Sequence, residues 1–520
     1  MQPFPTVLDA IRPFAAAAGV ALLCALASAQ AEDARLSPFG AGPDQQFGAA
    51  LDIQGDTAAI SAPGYLGAPV PGAVHVYHRD PSGWLEQQRL TASDGTPGDA
   101  FGSTVALSGN TLLVGSFVGQ AYVFVFNGTS WVEQQILTRP GLGAMEFFGL
   151  WVWLDGDTAV VGAQREGTAG QDSGAAYVFV RHFGVWSLQQ RLAPSDAAAD
   201  DFAGFAAIAG NTLLLGAFGK DGYRGAVYVF TRSGSTWTER QKLVASDAEA
   251  GDLFGGRLAL ENDTAVISAI GPDTSAGAAY VFTRTAGVWS ERQRLAACDA
   301  SAFDRLGLAL ALSGDALLIG APFDQDHGPE SGSVYLFRRL GTSWVQAQKL
   351  APSDAAAGQY VGLTAAIDNG SILVGAPRHD GAGDLSGLAL VYHVGPSMVS
   401  YYNGAGFNSD SLTVGESVLG QSWSATIDVV EPHAPGSAFL FVSSACSSGQ
   451  TVLGGNGEVL LGGRKAFRLG PAPHAGLGSS VSFSLRIPSD PGLIGLRWAA
   501  QGAVFGGFAR LTRAATGTMQ

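Results

Sequence analysis

The stretch Asp99–Phe117, DAFGSTVALSGNTLLVGSF, contains the pattern that decides the fold. It has Phe101-Gly102 and, thirteen residues after Gly102, a second small residue, Gly115. This spacing occurs seven times, with its first member at Gly48, Gly102, Gly149, Ala203, Gly255, Gly307 and Gly362 and its second at Ser61, Gly115, Gly162, Gly216, Ser268, Gly320 and Gly375. The spacing is constant while the repeat length varies, which indicates repeated structural cores with variable connections.

Each repeat contains four strand-like segments. In the second repeat these are GSTVALS, TLLVG, AYVFVF and a segment that begins at Trp131. Gly-Asp, Gly-Asn or Asn-Asp joins the first two segments, as in a tight hairpin. Runs such as TLLLG do not alternate, so both faces of these strands should be buried. The chain is therefore predicted to be all-β and to form a seven-bladed β-propeller, with a right-handed β-helix as the alternative.

The seventh repeat lacks the segment that begins with Trp. After Leu390-Val391-Tyr392 the chain continues into Gly395-Pro396. A matching segment stands at the other end: Ala34–Pro38 (ARLSP) corresponds to Gln190–Pro194 (QRLAP), which precedes the fourth repeat. We therefore predict that residues 34–38 supply the closing strand of the last blade.

These motifs resemble the FG-GAP repeat of integrin-α-type β-propellers, in its bacterial exported variant. FG stands at 47–48, 101–102, 148–149 and 254–255, SAP at 61–63, and GAP at 320–322 and 375–377. The pattern departs at Phe202-Ala203, Leu306-Gly307 and Val361-Gly362. The resemblance covers residues 34 to about 394 and seven spaced copies make it specific.

The two ends of the chain predict a signal peptide and a second domain. Residues 1–29 contain the apolar run Phe14–Ala27 and an A-x-A cleavage site, and the run is too short to span a bilayer. Residues 30–395 form the propeller. From 396 to 520 the repeat stops, and alternating runs such as Trp423–Val429 predict a small antiparallel β-sandwich-like domain.

Charge and cysteine content exclude some classes of protein. The formal net charge is −15, which disfavours nucleic-acid binding. No second long apolar run follows the signal peptide, so no transmembrane segment is expected after its removal. The mature chain keeps Cys298 and Cys446, far apart in sequence, and we expect two buried thiols rather than a disulfide framework.

Calcium loops of the integrin type are not expected. Those propellers hold calcium in DxDxDGxxD loops between the first two strands of a blade, where this chain has SGN (108–110), DGD (155–157), AGN (209–211), END (261–263) and SGD (313–315). Such short tips offer too few oxygens for calcium. The aspartates before each FG, such as Asp94 and Asp99, are either paired ligands for a metal or sugar or, as their repetition favours, capping residues.

The candidate binding residues lie in long connections of the last two blades. Connections between strands two and three, and between blades, open on one face, and variable loops on a rigid scaffold usually carry binding. The candidate residues are Asp324, Asp326, His327, Glu330, Arg378, His379, Asp380 and Asp384. They form either one composite polar site with room for a divalent cation or two solvated loops; no other cofactor is expected.

The sequence favours an exported recognition or adhesion protein that is not an enzyme. It contains no Gly-x-Ser-x-Gly elbow, H-E-x-x-H pair or SxDxGxxW box, so no catalytic residue is assigned. The expected location is secreted or periplasmic, including the cell surface, and the expected partner is an extracellular protein or glycan. A lectin or glycoside hydrolase that uses the same face is one alternative, and a structural envelope spacer is another. Sequons at Asn127, Asn262 and Asn369 would carry glycans only in a host that glycosylates.

Overall fold

The computed structural model describes residues 32–39, 45–64, 70–141, 146–271, 276–380 and 386–394, together with nine strands nearer the C-terminus. The chain divides into two compact units, one comprising Ala29–Pro396 and the other including Ser397–Gln520. The predicted signal peptide lies outside the described residues and remains a prediction.

The unit Ala29–Pro396 is a seven-bladed β-propeller, which confirms the sequence-based prediction over the β-helix. Each blade is a four-stranded antiparallel sheet. The strands are β1 (Ala34–Leu36), β2–β5 (Leu51–Gln54, Thr57–Ala62, Ala73–Asp80, Gly83–Leu90), β6–β9 (Val105–Ser108, Thr111–Gly115, Ala121–Phe126, Trp131–Leu137), β10–β13 (Val152–Asp155, Thr158–Ala163, Ala175–His182, Val185–Leu192) and β14–β17 (Ala203–Ala209, Thr212–Ala217, Ala226–Ser233, Thr236–Leu243). They continue with β18–β21 (Leu258–Glu261, Thr264–Ala269, Ala278–Thr285, Val288–Leu295), β22–β25 (Ala309–Ser313, Ala316–Ala321, Ser333–Leu340, Ser343–Leu350) and β26–β28 (Thr364–Asp368, Ser371–Ala376, Leu388–His393).

The blades are numbered one to seven from β2, and the propeller has two distinct faces. We call the loop face the side that carries the connections between the second and third strands of a blade and the crossovers between blades. The turn face carries the hairpins between the first and second and between the third and fourth strands. A single short helical segment, Lys220–Tyr223, occurs among the described residues, in a loop-face connection of blade four. In the described part of the chain, no helix has the length and apolar character needed to cross a bilayer.

The thirteen-residue spacing follows from a hydrogen bond inside six of the blades, while in blade four the register of the first strand shifts between Ala203 and Phe205. The backbone N–H of Gly102 donates to Gly115 O at 2.9 Å, and that of Gly255 donates to Ser268 O at 2.9 Å. A Cβ on Gly115 would lie 2.4 Å from the carbonyl oxygen of Gly149 in the next blade. The second position is small because the next blade approaches there.

The hydrophobic cores lie between blades. Phe101 is fully buried and meets Tyr122 edge-on, with ring centroids 5.2 Å apart. One core combines Val74 and Val76 of blade one with Leu112 of blade two. Because each core uses residues from two blades, an unpartnered blade would expose half of a core to water, and the ring gains stability by closing.

The Trp and Gln motifs join neighbouring outer strands. Gln88 Nε2 donates to Trp131 O at 2.9 Å, and the Trp131 N–H donates back to Gln88 Oε1 at 2.7 Å. The same reciprocal pair recurs between Gln135 and Trp186, Gln190 and Trp237, Gln241 and Trp289, and Gln293 and Trp344. The repeated sequence motif is thus an amide clamp between blades.

The closing strand is confirmed. Strand β1 pairs antiparallel with β28, with Ala34 opposite Val391 and Leu36 opposite Ala389. Leu36 is buried in the core between blades seven and one. Arg35 makes a bidentate contact with Asp354 at 2.6 and 2.7 Å, which ties the start of the ring to the crossover that enters blade seven.

The C-terminal strands are all antiparallel. They are β29–β37 (Ser411–Val414, Ser422–Asp428, Gly436–Ser444, Glu458–Leu461, Arg464–Arg468, Ala472–His474, Ser480–Arg486, Arg497–Gly506, Phe508–Thr518), in three sheets. These strands agree with the predicted all-β class, and the sandwich arrangement remains a prediction.

Cys298 differs from the sequence-based expectation. It is half-buried in the crossover after β21 and is disulfide-bonded. The expectation of a buried free thiol is therefore wrong for Cys298, since a crossover between blades leaves its side chain only half covered.

Candidate functional site

The predicted residues of blade six surround a lysine. Asp324 is buried and accepts hydrogen bonds from Tyr335 Oη and Lys349 Nζ, both at 2.7 Å. The same ammonium contacts Asp326 at 2.5 Å and Asp299 at 2.9 Å. Burial disfavours charge here, but the three carboxylates outweigh it and raise the pKa of Lys349. These carboxylates have oxygens within 4.8 Å of one another, as a metal site would, and Lys349 supplies the positive charge between them.

The predicted residues of blade seven contact a different group of side chains. His379 is buried, and its Nε2 lies 3.4 Å from Asp354 Oδ2, the carboxylate that binds Arg35. Arg35 is the main cause that lowers the pKa of Asp354 to about 2. Asp380 is exposed, and Asp384 lies outside the described residues.

One contact chain joins the two loops. Glu330 accepts a short hydrogen bond from Tyr360 Oη, and the guanidinium carbon of Arg378 lies 4.6 Å from the centre of the Tyr360 ring. His327 is held by its backbone N–H, which donates to Ser331 Oγ at 3.4 Å. Among the described candidates, Asp324 and Asp326 thus meet at Lys349, Glu330 and Arg378 meet at Tyr360, and His379 meets Asp354.

The repeated aspartates before FG are capping residues, as their repetition predicted. Asp99 accepts hydrogen bonds from the backbone N–H groups of Thr96 and Phe101, both at 3.0 Å. The first aspartate of three pairs instead accepts a tyrosine hydroxyl, as Asp94 does from Tyr122 at 2.8 Å, and that of the fourth pair, Asp299, accepts from Lys349. Asp201, Asp252 and Asp304 repeat the capping contact, and Asp196 and Asp247 repeat the tyrosine contact.

Sequence reasoning missed a ring of residues in left-handed backbone conformation. In six blades the residue before the FG position has positive φ: Gln46 (53°), Ala100 (50°), Phe147 (58°), Leu253 (57°), Arg305 (53°) and Tyr360 (55°). In blade four the residue with positive φ is Phe202 (51°), the first residue of the FG position itself. Non-glycine residues adopt this conformation at a cost, and such strain often accompanies functional positions. Because this conformation occurs in every blade, it is part of the repeat geometry. The side chains at this position differ, so each blade presents a different surface on the loop face.

An aromatic and cationic cluster fills the mouth of the central channel. The guanidinium carbon of Arg257, in blade five, lies 4.5 Å from the ring centre of Trp151 in blade three and 4.8 Å from that of Phe205 in blade four. The Trp151 and Phe205 ring centroids are 4.8 Å apart. The three side chains come from three successive blades and contact one another as one cluster.

Four loop-face arginines stack on aromatic rings and have no carboxylate partner among the described residues. Besides Arg257, they are Arg165 over Phe147, Arg305 over Phe323 and Arg378 over Tyr360, with the guanidinium carbons 4.6–4.8 Å from the ring centres. Cation–π contact holds these groups in place without neutralising them. In a chain of net charge −15, this face therefore keeps arginines available for an outside partner.

The sequence matches a known repeat family. The model of the FG-GAP repeat matches residues 84–126, 131–179, 186–230, 237–282, 289–337 and 344–392, which together make up more than half of the chain. The chain belongs to the FG-GAP repeat family. Each match begins at the Trp of one blade and ends in the third strand of the next, so the FG-GAP sequence unit spans a junction between blades.

Solved structures resemble this FG-GAP propeller only distantly. Sqt1 of Saccharomyces cerevisiae is 10% identical with a TM-score of 0.42, and the match covers 71% of this chain and all of that one. A putative 6-phosphogluconolactonase of Bacteroides fragilis is 11% identical with a TM-score of 0.43, and that match covers 59% of this chain and 84% of that one. No curated protein matches the sequence. Similarity at this level says nothing about what the FG-GAP propeller binds.

The turn face of the FG-GAP propeller has paired charges. Arg284 Nε donates to Asp263 Oδ1 at 2.6 Å, Arg284 Nη1 reaches Thr212 Oγ1 of the preceding blade at 2.7 Å, and the guanidinium stacks on Trp289. Arg79, Arg181, Arg232 and Arg339 repeat the contact with Asp56, Asp157, Asn211 and Asp315. The tip carboxylates thus balance arginines of the fold, which supports the expectation that these turns lack calcium.

A shallow cleft and the three sequons also occur among these turns and hairpins. The cleft has a volume of about 640 Å³, and its lining includes Arg232 and Arg284, which are already paired. Asn262 and Asn369 adopt positive φ of 52° and 47°, and Asn127 Oδ1 accepts the Thr129 N–H at 3.0 Å. Turn geometry accounts for all three asparagines, and whether they carry glycans stays a prediction.

Proposed function

We propose that this FG-GAP protein is an exported, non-enzymatic recognition protein of the adhesion type. Its loop face binds an extracellular protein. The observation that carries the proposal is a contrast between the faces: four stacked loop-face arginines have no carboxylate partner among the described residues, whereas four of the five arginines at the turn-face hairpins pair with an aspartate and the fifth, Arg232, binds Asn211. Arginine and aromatic residues dominate the binding energy of protein interfaces.

Several features support the other parts of the proposal. The family fold is a rigid scaffold with variable loops, a common arrangement for protein binding. The sequence of residues 1–29 supports export to the periplasm or beyond, including the cell surface. The Asp299–Asp324–Asp326 cluster has Lys349 as its internal cation, which favours a protein that needs neither a catalytic group nor a metal there.

A lectin is the second candidate, since aromatic rings also bind sugars. Tyr223 is 44% exposed at the loop face and stacks near Phe202 with ring centroids 6.4 Å apart. A glycoside hydrolase would use the same face. Binding to a glycan array without turnover would favour the lectin, and release of reducing ends would favour the hydrolase.

The test compares two arginine variants of the full chain. One combines Arg165→Ala, Arg305→Ala and Arg378→Ala on the loop face; the matched control combines Arg240→Ala and Arg292→Ala, exposed on outer strands. Wild-type protein is immobilised, an extracellular partner is captured from the source organism, and its affinity is measured for each variant. We expect the loop-face variant to bind at least about tenfold more weakly. An equal loss of affinity in both variants, or a loss of affinity in the control variant alone, would place the binding interface outside the loop face.

A further inference from the structure

The guanidinium of Arg257 lies where the first strands of blades three, four and five meet, and no carboxylate among the described residues pairs with it. Its Nε donates to Leu308 O at 3.1 Å and its Nη1 donates to Gly256 O at 2.8 Å. The remaining three N–H groups have no protein partner in the described part of the chain. Burial lowers the pKa of Arg257 to about 10, so the group still carries its charge at neutral pH. An anion that pairs with such a buried cation lowers the free energy of the complex.

A second donor without a partner belongs to the same cluster. The indole Nε1 of Trp151 is buried and makes no hydrogen bond. Arg257 stacks on this indole, so both donors belong to side chains in direct contact. A carboxylate has two oxygens and about four acceptor positions, which suits a guanidinium edge with a neighbouring N–H.

The opposite side of the channel mouth has small side chains. Trp151, Phe205 and Arg257 each stand two residues after the first small residue of their repeats, on three successive blades. The equivalent residues of the other four blades are Ala50, Thr104, Ala309 and Thr364. The asymmetry places the large side chains on three successive blades and the small ones on the other four.

A path of aromatic rings leads away from the channel. Phe205 contacts Phe218 at 5.8 Å, and Phe218 stacks on Phe202 at 5.3 Å with an interplanar angle of 9°. Exposed Tyr223 ends the path. These rings already use their faces on one another, so the surface that remains fits apolar side chains better than a sugar ring lying flat.

We propose that Arg257 and Trp151 form a site for the carboxylate of an acidic peptide segment, and that the aromatic path receives the apolar residues next to it. The inference rests on the proposed function, because the peptide belongs to the protein that the loop face binds. The inference specifies a carboxylate as the ligand group and Arg257 and Trp151 as the residues that bind it.

The experiment uses the full chain and two peptides that differ in one group. Calorimetry compares N-acetyl-Phe-Asp-Phe-amide with its Asn counterpart, which has the same shape and no charge. We expect the Asp peptide to bind at least about tenfold more tightly than the Asn peptide. Arg257→Gln should remove that preference, Arg257→Lys should restore part of it, and Trp151→Phe should weaken binding while keeping the ring. Arg292→Gln, which removes an exposed arginine of an outer strand outside the loop face, should leave the preference unchanged.

The outcomes separate this inference from the proposed function. Equal affinity of the wild-type protein for both peptides would overturn the carboxylate site. Unchanged affinity for the Asp peptide in an Arg257→Gln variant with an unchanged melting temperature would overturn it too. A galacturonate trisaccharide that binds more tightly than the Asp peptide, through Arg257, would overturn the peptide class. If the captured partner still depends on the loop-face arginines while the Asp peptide shows no binding, the recognition function stands and this inference fails.

Discussion

Replacing Leu36 by alanine tests how the ring closes. Leu36 belongs to the three-residue strand β1 and is 5% exposed. Leu192 ends the fourth strand of blade three in the equivalent place and is 1% exposed, so Leu192→Ala is a matched control. Leucine-to-alanine changes in cores cost about 2–5 kcal/mol. The Arg35–Asp354 pair has side chains 34% and 50% exposed and should contribute about 1 kcal/mol or less. We therefore expect Leu36→Ala to lower the free energy of unfolding by about 2–4 kcal/mol, and Arg35→Ala to cost less.

The measurement is denaturant unfolding of the full chain, followed by two spectroscopic probes because the chain has two compact units. Hydrogen exchange adds a local readout, since loss of β1 contacts should speed exchange at the amides of Leu388–His393. If Leu36→Ala changes the free energy of unfolding by less than about 0.5 kcal/mol while Leu192→Ala costs the full amount, β1 does not close the ring.

Four further predictions concern the charged groups. Asp354 has its pKa lowered from 3.8 to about 2, so its stabilising effect is present above pH 4 and lost towards pH 2; the melting-temperature difference between wild type and Asp354→Asn should vanish at pH 2. Burial raises the pKa of Asp304 to about 6, so its contribution is lost as pH rises from about 4 through 6, and Asp304→Asn should remove that part of the calorimetric pH profile. Lys349→Met should melt at a lower temperature and recover partly in millimolar calcium; identical melts with and without calcium would count against the internal cation. Calorimetric titration of wild type with calcium should show no site that Asp263→Asn abolishes, because Arg284 already pairs with Asp263.

The fold could be predicted from sequence because its determinants are local and repeated. The Gly102–Gly115 spacing reports one hydrogen bond within a hairpin, and five other blades repeat it. The closing strand was predictable for the same reason: Ala34–Leu36 keeps the ending that other fourth strands have, as in Arg191-Leu192. The left-handed backbone conformation near each FG position could not be predicted, because the residue type there varies and is not glycine.

The candidate site was harder to predict because its contacts cross the ring. His379 meets Asp354, which Arg35 binds from the opposite end of the chain. Arg257 of blade five meets Trp151 of blade three, and no sequence period reports that contact. The sequence nonetheless contained one signal for this cluster. When the seven repeats are aligned, the residue two places after the first small residue is large in three repeats and small in four.

The most direct test of the recognition proposal is hydrogen exchange of the full chain with and without its captured extracellular partner. We predict that the partner protects peptides of the loop face, above all those that contain Arg165, Arg257, Arg305 and Arg378. The hairpins of the turn face, including Asp263, should exchange at the same rate in both states. Protection confined to the turn face, or to outer strands such as Thr236–Leu243, would contradict the proposal that the loop face is the binding surface.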